Sequence, residues 1–148
     1  MTLIFLDANV YFSGFFSKEG ASRVVLELAR RGKVTLLASE LVLREAGRNL
    51  SLKTNKKTVD DFHHFLKETK IRVVPPPEEK ELKPYEDCIH PKDVPILTAA
   101  VKAKADFLVT LDRRHFMTDK VLACAGEMKI LTPGDFLHDA LKNLGRPK

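Results

Sequence analysis

Two acids in this chain stand just past the ends of short apolar runs. Leu3-Ile4-Phe5-Leu6 stops at Asp7, and Ala105-Asp106-Phe107-Leu108-Val109-Thr110 leads through Leu111 to Asp112. Each has a neutral hydrogen-bonding neighbour two positions away, Asn9 for Asp7 and Thr110 for Asp112. Asp93 lies three and four residues before Ile96 and Leu97, so on a helix it shares their inward face. Glu45 follows Leu41 and Val42 at the same spacing and precedes Asn49, which puts a carboxylate on an apolar stripe. Singly, each has a plain structural reading: Asp7 as a helix cap, Asp93 as a complement to a helix dipole, Glu45 as a solvated edge. Together they would repel one another in one crevice unless some took up protons or a cation joined them. Hard oxygen donors, with no Cys among them and no His pair at i and i+4, favour Mg²⁺ or Mn²⁺ over Zn²⁺. Such a site can activate a water and neutralise a phosphodiester. Arg113, Arg114 and His115 follow Asp112 directly and are candidates to grip phosphates; as an ordinary solvated loop they would serve equally well.

Composition sets the frame for these residues. A chain of 148 residues has the length of one typical domain, and a single domain over residues 1–148 is expected. The net charge of +5 permits a polyanionic partner without demanding one. Cys88 and Cys124 are far apart and in no metal-binding spacing, so neither a disulfide framework nor a zinc site is expected. The apolar start is cut by Asp7 and lacks a basic leader, and no later run approaches the length of a membrane span. A soluble protein in a reduced, cytoplasmic setting fits best.

The elements that must position the acids follow from periodicity. Continuous apolarity over residues 3–6 describes a strand covered on both faces, as in a parallel sheet. Residues 10–16 are apolar but interrupted by Ser13 and Gly14, which predicts a short helical turn and a loop. A helix is expected over residues 21–31, with Gly32 as its stop. A strand at 34–38 leads through Ser39 as N-cap into a second helix to about residue 50. A basic connection over 51–58, holding Lys53, Lys56 and Lys57, precedes a helix through Phe62, Phe65 and Leu66. Residues 71–74 are a third strand, ended by three prolines, and residues 78–89 are charged with room for a short helix. His90-Pro91-Lys92-Asp93 opens a helix with Pro95 in its first turn, residues 105–110 form a fourth strand and 128–131 a fifth. A last amphipathic helix starts at Thr132-Pro133-Gly134-Asp135 and runs through Phe136, Leu137, Ala140, Leu141 and Leu144. Strands separated by helices predict an α/β fold with a parallel sheet. If the first and fourth strands are neighbours where the sheet order reverses, Asp7 and Asp112 face one crevice.

Four segments in order resemble the PIN domain family, and more narrowly the PIN-type ribonucleases that act as toxins in toxin–antitoxin pairs (VapC-like). They are Ile4-Phe5-Leu6-Asp7-Ala8-Asn9-Val10, Ala38-Ser39-Glu40-Leu41-Val42-Leu43-Arg44-Glu45, His90-Pro91-Lys92-Asp93-Val94-Pro95-Ile96-Leu97-Thr98-Ala99-Ala100 and Ala105-Asp106-Phe107-Leu108-Val109-Thr110-Leu111-Asp112. The resemblance implies a three-layer α/β/α sandwich with a five-stranded parallel sheet of order 3-2-1-4-5. It implies catalytic and metal-site roles for Asp7, Glu45, Asp93 and Asp112, supported by Asn9 and Thr110. The implied activity is Mg²⁺- or Mn²⁺-dependent hydrolysis of RNA, and the implied partners are a small antitoxin and a second copy of the chain. His90 departs from the pattern, standing where many relatives carry another Asp, with Asp87 a distant substitute. Glu40 lies in the same helix as Glu45 and is the other acid to weigh there.

Two rival readings stand beside this one. A phosphohydrolase of the haloacid dehalogenase type would use Asp7 as a covalent nucleophile, but would need a second Asp where Asn9 stands. A PIN-like module that binds RNA or protein without cleaving it would keep the same fold; the four acids give no sign of such a loss.

Overall fold

The first strand, β1 (Leu3–Leu6), occupies the centre of the sheet because nothing along it tolerates water. Ile4, Phe5 and Leu6 are wholly buried, as are Leu36 and Leu37 of β2 (Thr35–Ala38) and Leu108 and Val109 of β4 (Phe107–Val109). With β3 (Ile71–Val73) and β5 (Lys129–Leu131) these form one five-stranded sheet of order β3-β2-β1-β4-β5, every pair parallel. The fold is the α/β/α sandwich of the expected strand order. The structure, a computed structural model, describes residues 1–144, and of Leu141, Asn143 and Leu144 only the backbone, so the expected packing of Leu141 and Leu144 lies outside the described residues.

Nine α-helices connect and cover the strands among the described residues. They are α1 (Ala8–Phe16), α2 (Ala21–Arg30), α3 (Glu40–Lys53), α4 (Lys56–Glu68), α5 (Glu79–Leu82), α6 (Val94–Lys102), α7 (Arg113–Phe116), α8 (Asp119–Cys124) and α9 (Pro133–Leu144). No described helix is long and apolar enough to cross a membrane. Their caps are written in the sequence: Ser39 accepts from the Val42 N–H, Asn55 from Thr58 and Thr118 from Val121.

Several sequence expectations are corrected. Residues 10–16 are not a turn and a loop, for α1 runs unbroken through Ser13 and Gly14. Gly14 is there because α2 passes so close that a Cβ would collide with the Leu26 side chain. Helix α3 extends to Lys53, so the connection before α4 shrinks to Thr54 and Asn55, and Lys53 sits on a helix rather than in a loop. Arg113 and Arg114 are likewise helical, in the short α7, and α8 is an element that periodicity had not revealed. The two cysteines are not free: Cys88 and Cys124 are joined in a disulfide across 36 residues. The bridge ties the segment leading into α6 to the last residue of α8, partners that no spacing rule connects.

Candidate metal centre

The register of the sheet brings the first two acids together. Leu6 pairs with Val109, and the Asp7 N–H donates to the Val109 carbonyl at 3.0 Å, so the chain leaves β1 and β4 side by side. Beyond β1 the chain turns into α1 and beyond β4 toward α7, where the strand order changes direction, and the gap between them is the crevice. It has a volume of about 250 Å³ and is lined by Asp7, Asn9, Phe12, Glu45, Lys53, Lys92, Asp93 and Asp112, among others.

Asp7 does two jobs at once. One carboxylate oxygen caps α1, accepting from the Ala8 N–H at 2.8 Å. The other accepts the Thr110 hydroxyl at 2.8 Å and the Asn9 amide at 3.4 Å. Only 7% of the residue is exposed. Burial pushes its carboxyl up to about 6, against the pull of the Thr110 and Ala8 hydrogen bonds, and the charges of Asp93 and Glu45 push the same way. Asp7 is therefore a helix cap and, at the same time, part of the crevice lining.

Asn9 and Thr110 form the bracket between the two strand ends. The Asn9 amide donates to Thr110 Oγ1 at 3.3 Å, and its carbonyl accepts from the Leu111 N–H at 3.1 Å. Thr110 Oγ1 also accepts from the Asp112 N–H at 3.1 Å. One hydroxyl thus orients both acids.

Asp112 caps α7 through the His115 N–H at 3.0 Å and meets the His115 ring Nδ1 at 2.8 Å. Partial burial raises its carboxyl, but the His115 backbone and ring outweigh that and hold it below the usual range. Asp93, at the head of α6, makes no side-chain cap and is raised by desolvation and by the Asp112 charge. One donor atom from each of Asp93, Asp112 and His115 lies within 4.8 Å of the other two. Glu45 faces the crevice from α3, 3.9 Å from the Lys92 ammonium, whereas Glu40, in the first turn of the same helix, is exposed away from it.

Among the described residues no Lys or Arg lies within ion-pair distance of Asp7, Asp93 or Asp112. Three carboxylates that share one crevice with no Lys or Arg paired to them, one of them buried and raised toward neutrality, form a donor set that fits a hard divalent metal. A larger cleft of about 500 Å³, lined by α2 and α4 residues, has a different character. There Glu27 is already met by Arg30 at 2.6 Å and approached by Arg23 at 3.8 Å, so it offers no surplus of negative charge.

Other candidates lie around the rim. Arg113 and Arg114 are exposed on α7 outside the crevice wall, with Arg113 3.9 Å from Asp135. His115 turns back onto Asp112. His90 is exposed, its ring centroid 5.9 Å from that of His115, and Asp87 is exposed away from the acids. Residues that sequence reasoning missed are Phe12, Lys53 and Lys92 as crevice walls. The signal for Lys53 was present, since it lies four residues after Asn49 and eight after Glu45, but it is visible only once α3 is known to continue past residue 50.

A family model described as the PIN domain matches residues 3–114. The fold is similar to that of VapBC2 from Rickettsia felis, solved bound to a DNA fragment from their promoter. The two share 18% identity with a TM-score of 0.59, over 87% of this chain and 97% of that one. It is also similar to PAE2754 from Pyrobaculum aerophilum, at 17% identity and a TM-score of 0.61 over 95% of this chain and 96% of that one. At these identities the likeness speaks to the fold alone. No curated protein matches the chain.

Proposed function

The chain belongs to the PIN domain family, and from that premise we propose that it is a metal-dependent ribonuclease whose site is the crevice between β1 and β4. The observation that carries this reading is the convergence of Asp7, Glu45, Asp93 and Asp112 on one cavity, with Asp7 buried and, among the described residues, no Lys or Arg within ion-pair distance of it. Asp7, Asp93 and Asp112 would hold Mg²⁺ or Mn²⁺, with Glu45 on the opposite wall. An ion held there would supply positive charge against the phosphodiester and would lower the pKa of a water. Thr110 and Asn9 fix the orientation of the acids. Lys53 and Lys92 draw the backbone of the substrate toward them, while Arg113 and Arg114 meet phosphates that extend past the rim. His115, docked on Asp112, serves as a positioning group as much as a phosphate contact.

The likeness to VapBC2 supports a toxin of a toxin–antitoxin pair with a small antitoxin protein as partner; a homodimer is proposed on the sequence resemblance alone. An RNA substrate also favours a cytoplasmic setting; the Cys88–Cys124 bridge is the observation that speaks against a reducing one.

Incubation of the purified protein with RNA, Mn²⁺ and an EDTA control tests the reading, alongside a thermal melt with and without Mn²⁺. Cleavage that requires the metal and is lost in Asp112→Asn is the expected result, with metal raising the melting temperature of the parent. RNA that stays intact under metal that stabilises the fold would leave a silent binding module instead.

A further inference from the structure

Helix α1 carries two aromatic ladders. Tyr11 and Phe15 are buried and pack edge-on against Phe62 of α4, with centroids 6.1 and 5.5 Å away. Phe12 and Phe16, also four residues apart, form the second ladder, their rings stacked at 5.4 Å with planes 21° apart. This ladder lies at the edge of the core, with Phe12 half-buried against it. Phe16 is 63% exposed, and Phe12 forms part of the crevice wall that holds Asp7 and Asp93. Lys53 Nζ, another part of that wall, stands 5.6 Å from the centre of the Phe12 ring.

The face of Phe16 left in water gains nothing from the hydrophobic effect where it stands, so the stacked pair offers apolar surface to an occupant. Its position selects which one. The ladder begins at the acids and runs outward, and at its inner end a lysine adds positive charge beside a flat ring. A chain with phosphates at regular intervals and planar bases between them matches that alternation. A duplex does not, because its bases present edges and keep their faces stacked.

We propose that Phe12 and Phe16 form a stacking platform for unpaired bases of a single-stranded RNA, with Lys53 holding the adjoining phosphate at the mouth of the crevice. This rests on the ribonuclease reading above and narrows its substrate to single strands. The platform sets which part of an RNA can lie across the acids; the acids themselves carry the chemistry.

Binding is measured on the Asp7→Asn protein, in which cleavage is held down, with a single-stranded RNA octamer containing one 2-aminopurine and with the same octamer in a duplex. Stacking on the platform quenches the 2-aminopurine fluorescence. Phe16→Ala is expected to weaken single-strand binding by about tenfold, in keeping with the loss of one base–aromatic contact, and to lift the quench. Duplex binding should change by less than about twofold, since charge alone governs it. Phe16→Trp should restore both signals. Phe12→Leu, which keeps an apolar wall, should behave like Phe16→Ala while melting as the parent does.

The platform is overturned if Phe16→Ala leaves affinity and quench unchanged, if it weakens single strand and duplex alike, or if no octamer binds. It is also overturned if sedimentation shows Phe16→Ala splitting a dimer while RNA binding persists, for the ladder is then a seat for a second copy. The parent incubated with the octamer and Mn²⁺ separates the two readings. Quenching without cleavage removes the ribonuclease and leaves the platform; cleavage that Phe16→Ala and Phe12→Leu do not touch removes the platform and leaves the ribonuclease.

Discussion

Thr110 donates its hydroxyl to Asp7 Oδ2 at 2.8 Å across 103 positions of sequence, and Thr110 Oγ1 itself accepts the Asp112 N–H at 3.1 Å. The hydroxyl lowers the Asp7 carboxyl against the effect of burial. Thr110→Val keeps the shape and removes the donor. The Asp7 carboxyl should then titrate above its value of about 6, and stability should fall by about 1–3 kcal/mol because the Asp112 N–H and the carboxylate both lose a buried partner. A carbon-13 titration of the Asp7 carboxyl in the metal-free protein reads the first effect, and urea unfolding the second. Thr110→Ser should restore both. A titration unmoved in Thr110→Val would deny the hydroxyl its role.

The raised carboxyl of Asp7 has a definite sign in stability. Between the ordinary value of 3.8 and the folded value of about 6, the folded chain keeps a proton that the unfolded chain releases. The resulting stabilisation is fully present below pH 4 and lost as pH rises through 6, so the ionised group costs about 3 kcal/mol at neutral pH. Asp7→Asn removes that cost. Without metal, its stability relative to the parent should rise between pH 4 and pH 7.5, offset in part by a weaker contact with Thr110. Paired denaturant melts at the two pH values measure it, and an equal difference at both would show that Asp7 carries no such burden.

Much of this was legible in the chain. The run from Leu3 to Leu6 could only be a doubly covered strand, and Ser39, Pro95 and the prolines after Val74 mark boundaries by their own chemistry. Asp7 and Asp112 were readable as a pair because each ends a strand. What was hidden depends on neighbours distant in sequence. Gly14 reads as a helix breaker until Leu26 of α2 is seen against it, and Cys88 reads as a lone thiol until α8 brings Cys124 to it. Phe12 and Phe16 lie in the stretch whose sequence predicts a turn and a loop, and only its folding as α1 sets their stacked pair apart from Tyr11 and Phe15.

The bridge between Cys88 and Cys124 closes a loop of 36 residues. Loop-closure entropy of that length gives about 4 kcal/mol, removed when the bond is reduced. Urea unfolding with and without reductant, and of the Cys88→Ala, Cys124→Ala pair, should show a lower midpoint in each case. Midpoints that coincide would mean that the bond contributes nothing to the folded chain.

Phosphate contacts should divide by place. Lys53 and Lys92 line the crevice, while Arg113 and Arg114 stand outside it. Replacing both lysines by alanine should reduce the salt dependence of single-stranded RNA binding by about 1.4 in the logarithmic slope, two contacts at about 0.7 each. Arg113→Ala with Arg114→Ala should reduce it by less. A slope indifferent to the lysines would place the path of the strand elsewhere.

The pairing of Leu6 with Val109 also fixes when the crevice comes into being. β1 is the first of the described strands and the central one in the sheet, so its neighbour β4 must be synthesised after roughly a hundred further residues. A growing chain that has reached only α6 holds Asp7, Glu45 and Asp93 but neither Thr110 nor Asp112, and the wall against which Asp7 is buried does not yet exist. The acids can meet only in a chain whose translation has passed β4. An activity that needs these acids together would thus be withheld from the ribosome-bound chain until β4 has been made.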